Sequence, residues 1–261
     1  MKQRILTAFI ALIIIAPIIV YGHWPFIVIA YFLATVALFE LMRMYHAEKG
    51  WLYLLISTVF LWLLLFPSPE IMVYTFTITK FEVIVLFVVL LLTITVLSKN
   101  RFTFDQASFL LLATIYIGTA FYFLMNTRFV GLNYFLFILF VIWATDSGAY
   151  FVGKAFGKRK LWPDISPNKT IGGAIGGIGI ALVVGISFHL IYPFEQSLIT
   201  IIFITIVISI FGQIGDLVAS AIKRHYDVKD SGKIFPGHGG ILDRLDSLLF
   251  VVIVLHILQF V

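Results

Sequence analysis

Cysteine is absent from the 261 residues, which excludes disulfides, thiolate nucleophiles and zinc–sulfur sites. Charge is scarce too: only 12% of residues are Asp, Glu, Lys or Arg, while 61% are apolar. Soluble domains carry about 25% charged and 45–50% apolar residues. A water-soluble globule is therefore excluded, and so is disorder. The chain has no low-complexity tract, no linker, no obvious internal repeat and no GxxxxGK[ST] phosphate loop. No soluble domain is expected at either end.

Apolar segments fill nearly everything else. A helix needs about 20 mostly apolar residues to cross the hydrocarbon core. Segments 4–22, 24–43, 52–67, 82–98, 107–125, 131–153, 171–192, 197–223 and 241–261 meet or approach that length. The expected fold is all-α, one polytopic integral membrane domain over 1–261 with about nine transmembrane helices. Residues 1–130 would supply N-terminal helices, and 131–261 the helices that carry chemistry. Lys2 and Arg4 before the first run also suit a signal peptide, but no small-x-small cleavage site follows. Tyr21, His23 and Trp24 read as an interfacial turn into a second span, so the first is expected to be retained. The stretch before the fourth segment is apolar yet interrupted by Pro69, Glu70 and Lys80.

Basic residues set the orientation. With a cytoplasmic N-terminus and alternating helices, all but Lys80 and Arg128 of the 18 lysines and arginines fall on the inner side. The pI of 9.3 then reflects cytoplasmic loops beside anionic headgroups, and no nucleic-acid partner is expected. The longest polar segments, 154–170 and 224–240, are both cytoplasmic in this arrangement. Polar chemistry is expected beside them.

Acids inside spans are costly and are functional candidates by default. Glu40 and Glu48 lie near an interface, Glu70, Glu82 and Glu195 near outer loops, and Asp105 and Asp164 in cytoplasmic loops. These read as ordinary solvated or interfacial charges. Asp146 and Asp216 differ: each lies seven residues before the expected cytoplasmic end of its helix, a depth of about 10 Å. Asp243 and Asp246, spaced i, i+3 at the entry of the last helix, share one helical face and repel each other unless a cation lies between them. The plainer alternatives are a lysine-paired buried acid, or acids that complement a helix dipole. With no cysteine, an oxygen-only donor set favours a hard cation such as magnesium, which uses one or two carboxylates plus substrate phosphates. Asp216, Asp243 and Asp246 suit that role.

Lys223, Arg224, Lys229 and Lys233 surround these carboxylates in the sequence, and Asp230 follows Lys229. Cations beside hard-metal carboxylates suit phosphoryl transfer, although a membrane boundary is also basic. Pro236-Gly237-His238-Gly239-Gly240 lets backbone amides approach a phosphate. Ser166-Pro167-Asn168-Lys169-Thr170 reads as a proline-fixed turn with donors just ahead of a helix. The glycines that follow, Gly172, Gly173, Gly176, Gly177 and Gly179, suit phosphate binding or tight helix packing, with packing favoured beyond Gly173. His189 and His256 fall on apolar faces and read as structural.

The stretch 220–246, SAIKRHYDVKDSGKIFPGHGGILDRLD, resembles the signature of phosphatidate cytidylyltransferases (CDP-diacylglycerol synthases). The matching positions are Ser220, Lys223, Arg224, Lys229, Asp230, His238, Gly239, Gly240, Asp243, Arg244 and Asp246. DSGAY at 146–150 and SPNKT at 166–170 also look like family segments, whereas the first 130 residues resemble the family only in hydropathy. Gly172 departs from it, since relatives often carry Glu or Gln there. The resemblance implies CTP and phosphatidic acid as substrates, CDP-diacylglycerol and pyrophosphate as products, and a bacterial-type cytoplasmic membrane with the site facing the cytoplasm. It implies magnesium at Asp216, Asp243 and Asp246, and a second cation such as potassium. Lys223 and Arg224 join the three aspartates as catalytic candidates. Asp146, Ser166, Lys169, Thr170, Ser220, Lys229, Asp230, His238, Gly239, Gly240 and Arg244 are candidates for substrate binding. A homodimer is admitted as a further partner. From the residues alone, a CTP-using lipid kinase and a cation transporter stay open.

Overall fold

The computed structural model describes residues 13–45, 51–68, 70–73, 76–232, 234 and 239–261. His238 and positions 4–12 of the first expected span lie outside them. Among the described residues there are nine helices: α1 (13–21), α2 (His23–Met44), α3 (Trp51–Leu65), α4 (Lys80–Leu97), α5 (Phe104–Val130), α6 (Leu132–Phe156), α7 (Ile171–Ile191), α8 (Leu198–His225) and α9 (Leu242–Ile257). Six of them, α2 and α4–α8, are long and apolar enough to cross a membrane. The chain is a polytopic membrane protein. Two short antiparallel hairpins interrupt the helices: β1 (Glu70–Val73) with β2 (Phe76–Thr79), and β3 (Lys160–Trp162) with β4 (Ser166–Thr170).

Helix starts follow local chemistry. Thr79 and Glu82 form a reciprocal capping box that begins α4 at Lys80, two residues earlier than apolar content alone suggests. Thr103 and Gln106 exchange the same pair of bonds ahead of α5. The broken stretch before α4 is thus the first hairpin. The second hairpin corrects the expected turn at 166–170. Thr170 pairs with Lys160, and Ser166 pairs with Trp162. Pro167 is tolerated because a two-stranded ribbon leaves one edge of each strand without ladder bonds.

The chain divides into two compact units. The first comprises Met1–Asn126 with Ser231–Ile241, the second Thr127–Asp230 with Leu242–Val261. In the first, Leu38, Met42, Leu61, Leu65, Phe87 and Leu91 are buried, and Phe60 stacks on Phe87 with ring centroids 4.3 Å apart. In the second, α6 and α7 approach through glycines. A Cβ on Gly148 would lie 2.8 Å from the Ile180 side chain, and one on Gly177 would lie 2.8 Å from the Thr145 carbonyl. Without a hydrophobic drive between helices in lipid, such close packing and interhelical hydrogen bonds hold them together. The buried bond from Thr145 Oγ1 to Ser209 Oγ, 2.9 Å, ties α6 to α8. Gly176 and Gly177 therefore serve packing. Large exposed side chains such as Trp24, Phe81, Val96, Leu112 and Ile199 are apolar, as lipid-facing surfaces require.

Candidate active site

The second unit gathers charge from four elements. Gly215 is what allows α9 to lie against α8: a Cβ there would come within 2.7 Å of Phe250 Cβ and 2.9 Å of the Asp246 carbonyl. This approach sets Asp216 of α8 near the first turn of α9. Asp246 is buried, and its Oδ1 accepts a 2.7 Å bond from the Ser247 amide. Asp243, one turn earlier, takes Lys223 Nζ at 2.5 Å, in a pair whose side chains are 5% and 13% exposed. The β3–β4 hairpin delivers Lys169, whose Nζ lies 2.6 Å from Asp216 Oδ2. Asp146 of α6 completes the group: its carboxylate is repelled by Asp216 and attracted by Lys169. Asp246 is likewise repelled by Asp216 and Asp146 and attracted by Lys223.

Ser220 Oγ donates a long 3.4 Å bond to Asp216 Oδ1. Thr170 is buried and its Oγ1 accepts from the Gly173 amide at 3.1 Å, which caps α7 and fixes the end of β4 one residue beyond Lys169. Ser166 is half-buried on β4. Arg224, Lys229, Asp230 and Arg244 are exposed, and Arg224 Nη1 donates to the Val228 carbonyl at 3.2 Å. Gly239 and Gly240 belong to the other unit, Gly239 with φ 84° and Gly240 buried. His189 is structural: its Nδ1 accepts from the Phe194 amide at 3.2 Å.

Asp216, Asp243 and Asp246 lie in one cluster, two of them paired with lysines. Among the described residues no three His, Asp or Glu side chains gather tightly enough to hold an ion by themselves, and Asp216 and Asp243 turn to lysines instead. The donor set nonetheless fits a hard cation. Three mutually repelling carboxylates, Asp146, Asp216 and Asp246, together with the lysine-paired Asp243 lie among two ammonium groups, and all the candidate donors are oxygens. Magnesium that uses one or two carboxylates and completes its shell with phosphates and water needs no protein cage. One expectation is corrected: Glu40 is not an interfacial charge. It is 2% exposed on the face of α2 that also buries Ala37, Leu41 and Met44, and it is hydrogen-bonded to the segment Ser231–Ile241. Because α2 is apolar around its whole circumference, the sequence offered no stripe to mark this face as the inward one.

A match to the Cytidylyltransferase family covers residues 2–261. The chain is 51% identical to the phosphatidate cytidylyltransferase of Bacillus subtilis (strain 168) over 99% of its own length and 97% of that protein. The chain belongs to the phosphatidate cytidylyltransferase family. The enzymes of that name from Staphylococcus aureus (strain COL) and Staphylococcus haemolyticus (strain JCSC1435) are 44% and 45% identical over 99% of the chain and 98% of each relative. Membership places the chain among the membrane-bound nucleotidyltransferases of phospholipid synthesis. It also turns the likeness of the first 130 residues, visible in the sequence only as hydropathy, into identity along the whole length. The family's chemistry joins two anions, a lipid phosphate and a nucleoside triphosphate.

Proposed function

We propose that this chain, as one membrane domain, makes CDP-diacylglycerol from CTP and phosphatidic acid. The observation that carries the reading is the convergence of Lys169, Lys223, Asp146, Asp216, Asp243 and Asp246 from β4, α6, α8 and α9. A phosphate oxygen of phosphatidic acid attacks the α-phosphorus of CTP. The bond from that phosphorus to the bridging oxygen breaks, and pyrophosphate leaves with the electron pair. The lipid phosphate is already ionised at neutral pH, so no general base is required.

The residues then have to overcome repulsion between two polyanions. Lys169 and Lys223, now turned to carboxylates, are the cations nearest the acids and exchange those partners for phosphate oxygens. Arg224, Lys229 and Arg244 are exposed beside the cluster in sequence and draw the triphosphate in from the aqueous side. Ser166, Thr170, Ser220, Asp230, His238, Gly239 and Gly240 complete the proposed substrate contacts. Asp216, Asp243 and Asp246 would hold magnesium, which when bound supplies neutralising charge to the triphosphate and the departing pyrophosphate. A second cation such as potassium would share that task.

The basic residues favour a cytoplasmic N-terminus, about nine spans and a site open to the cytoplasm of a bacterial cell. A lipid phosphate stays at headgroup level, and CTP arrives from that same side. The homodimer gains no support from the single chain, and the reading needs none.

The test is purified protein in detergent with phosphatidic acid, magnesium and labelled CTP. The expected products are a cytidine-bearing lipid and pyrophosphate. CDP with a newly phosphorylated lipid would instead identify a kinase.

A further inference from the structure

The β3–β4 hairpin joins α6 to α7, two consecutive candidate spans, so both of its ends lie at one face of the membrane. The chain entering it carries Lys154, Lys158, Arg159 and Lys160, all exposed. Among the described residues none of the four has a carboxylate partner. Asp164, in the hairpin's turn, is the only acid between Asp146 and Glu195. Four unpaired cations within seven residues repel one another, and the reaction above uses none of them. Exposed aromatic rings stand among them: Phe156 is 76% exposed and Trp162 54%. Along β3, Lys160 and Trp162 are exposed while Leu161 between them is half-buried, so ammonium and indole share one face. Water suits the ammonium and hydrocarbon suits the indole. The headgroup layer suits both, because indole rings rest there and lysines meet lipid phosphates. A basic membrane boundary alone requires only the charges, not a strand that aligns an indole with them.

The hairpin's ladder runs straight to the charge cluster. The Arg159 carbonyl accepts from the Ile171 amide at 3.0 Å, and Lys160 pairs with Thr170. Lys169, which reaches Asp216, is the preceding residue of β4. Whatever holds β3 therefore also holds Lys169.

We propose that this hairpin is a docking surface for anionic phospholipid. Phosphodiester headgroups of the surrounding leaflet neutralise Lys154, Lys158, Arg159 and Lys160, Phe156 and Trp162 seat among them, and the engaged hairpin holds Lys169 at the cluster. Charge complementarity and the position at two span ends select the occupant. An acidic protein would meet the same cations, but lipid phosphates already lie beside them. The docking stands apart from the activity; its effect on Lys169 rests on the reading of the chain as a CTP-dependent enzyme.

The experiment uses wild type and the triple variant Lys158→Gln/Arg159→Gln/Lys160→Gln, each with and without Trp162→Phe. The proteins are placed in phosphatidylcholine nanodiscs, alone or with about 30% phosphatidylglycerol. Bromine on the acyl chains near the headgroup quenches a tryptophan that touches that lipid, and the Trp162 signal is the difference made by Trp162→Phe. In wild type, brominated phosphatidylglycerol is expected to quench that signal about threefold more than brominated phosphatidylcholine at equal content. In the triple variant the two lipids should quench alike. With phosphatidic acid at a fixed fraction and CTP saturating, phosphatidylglycerol should raise wild-type kcat about threefold. The triple variant should match wild type in phosphatidylcholine alone and gain nothing from phosphatidylglycerol. Equal quenching by the two lipids in wild type overturns the proposal, as does an excess that survives in the triple variant. The same kcat response in both proteins overturns it too. A triple variant with a raised KM for CTP in phosphatidylcholine makes the patch a nucleotide site instead and counts equally against it. Should the triple variant not fold, Arg159→Gln and Lys160→Gln singly, each expected to lose part of the quenching excess, decide the matter on the same terms. If wild type makes no cytidine-bearing lipid, the activity reading fails, while the quenching still judges the docking surface.

Discussion

Asp243 and Asp246 stand three residues apart on α9 and meet different neighbours, the first a lysine, the second its own helix amide and two repelling carboxylates. Both are expected to be needed for turnover. Asp243→Asn and Asp246→Asn should each lower kcat at least about a hundredfold, Asp246→Asn with a melting temperature in detergent close to wild type and Asp243→Asn with a lower one, since it strands the Lys223 ammonium. Lys223 is a sharper case because it and Asp243 are both nearly buried. Removing one partner of a buried pair leaves an uncompensated charge and typically destabilises by about 3–5 kcal/mol. Lys223→Ala should therefore melt well below wild type, and the Lys223→Ala/Asp243→Asn double variant should melt above the Lys223→Ala single. The reverse order in a thermal-shift series would remove the pair's structural role. The identities and spacing of these residues were readable in the sequence. Their pairing was not, because Lys169 and Asp216 lie 47 positions apart and meet only when a hairpin and a helix pack.

At the scale of elements, helices were legible wherever apolar runs met a capping signal, since length and period dictate the helix and the cap dictates its start. The two hairpins were not legible. Each strand is only three to five residues long, too short for alternation to stand out against its surroundings. The glycines of α7 were correctly read as packing positions in part, but their chemistry is local and differs from one to the next. A methyl group added at Gly179 would meet nothing within 4 Å, while Gly215 of α8 abuts α9. Gly179→Ala should be neutral or stabilising by up to about 1 kcal/mol through helix propensity. Gly215→Ala should destabilise by about 1–3 kcal/mol by overpacking, and should lower activity too, since the displaced helix carries Asp243 and Asp246. Melting and turnover measured on the same preparations distinguish the two.

For the whole molecule, orientation and metal dependence are the testable properties. The natural absence of cysteine makes single-cysteine labelling clean. Asp164→Cys should react with a membrane-impermeant maleimide only after the inner face is exposed, and Glu195→Cys should react in intact cells. Labelling of both from the same side would break the proposed topology. Chelation with EDTA should stop turnover and added magnesium should restore it, whereas persistent turnover in chelator would count against a metal-dependent site.

Membrane residence, the approximate helix positions and the chemical types at the site came from the amino-acid order alone, because hydropathy, capping and side-chain chemistry act over a few neighbouring residues. The lysine partners of Asp216 and Asp243, the hairpin that presents Lys169, and the burial of Glu40 were decided only by tertiary structure. Each depends on which backbones can approach closely, and that is settled by glycines and by side chains on distant segments.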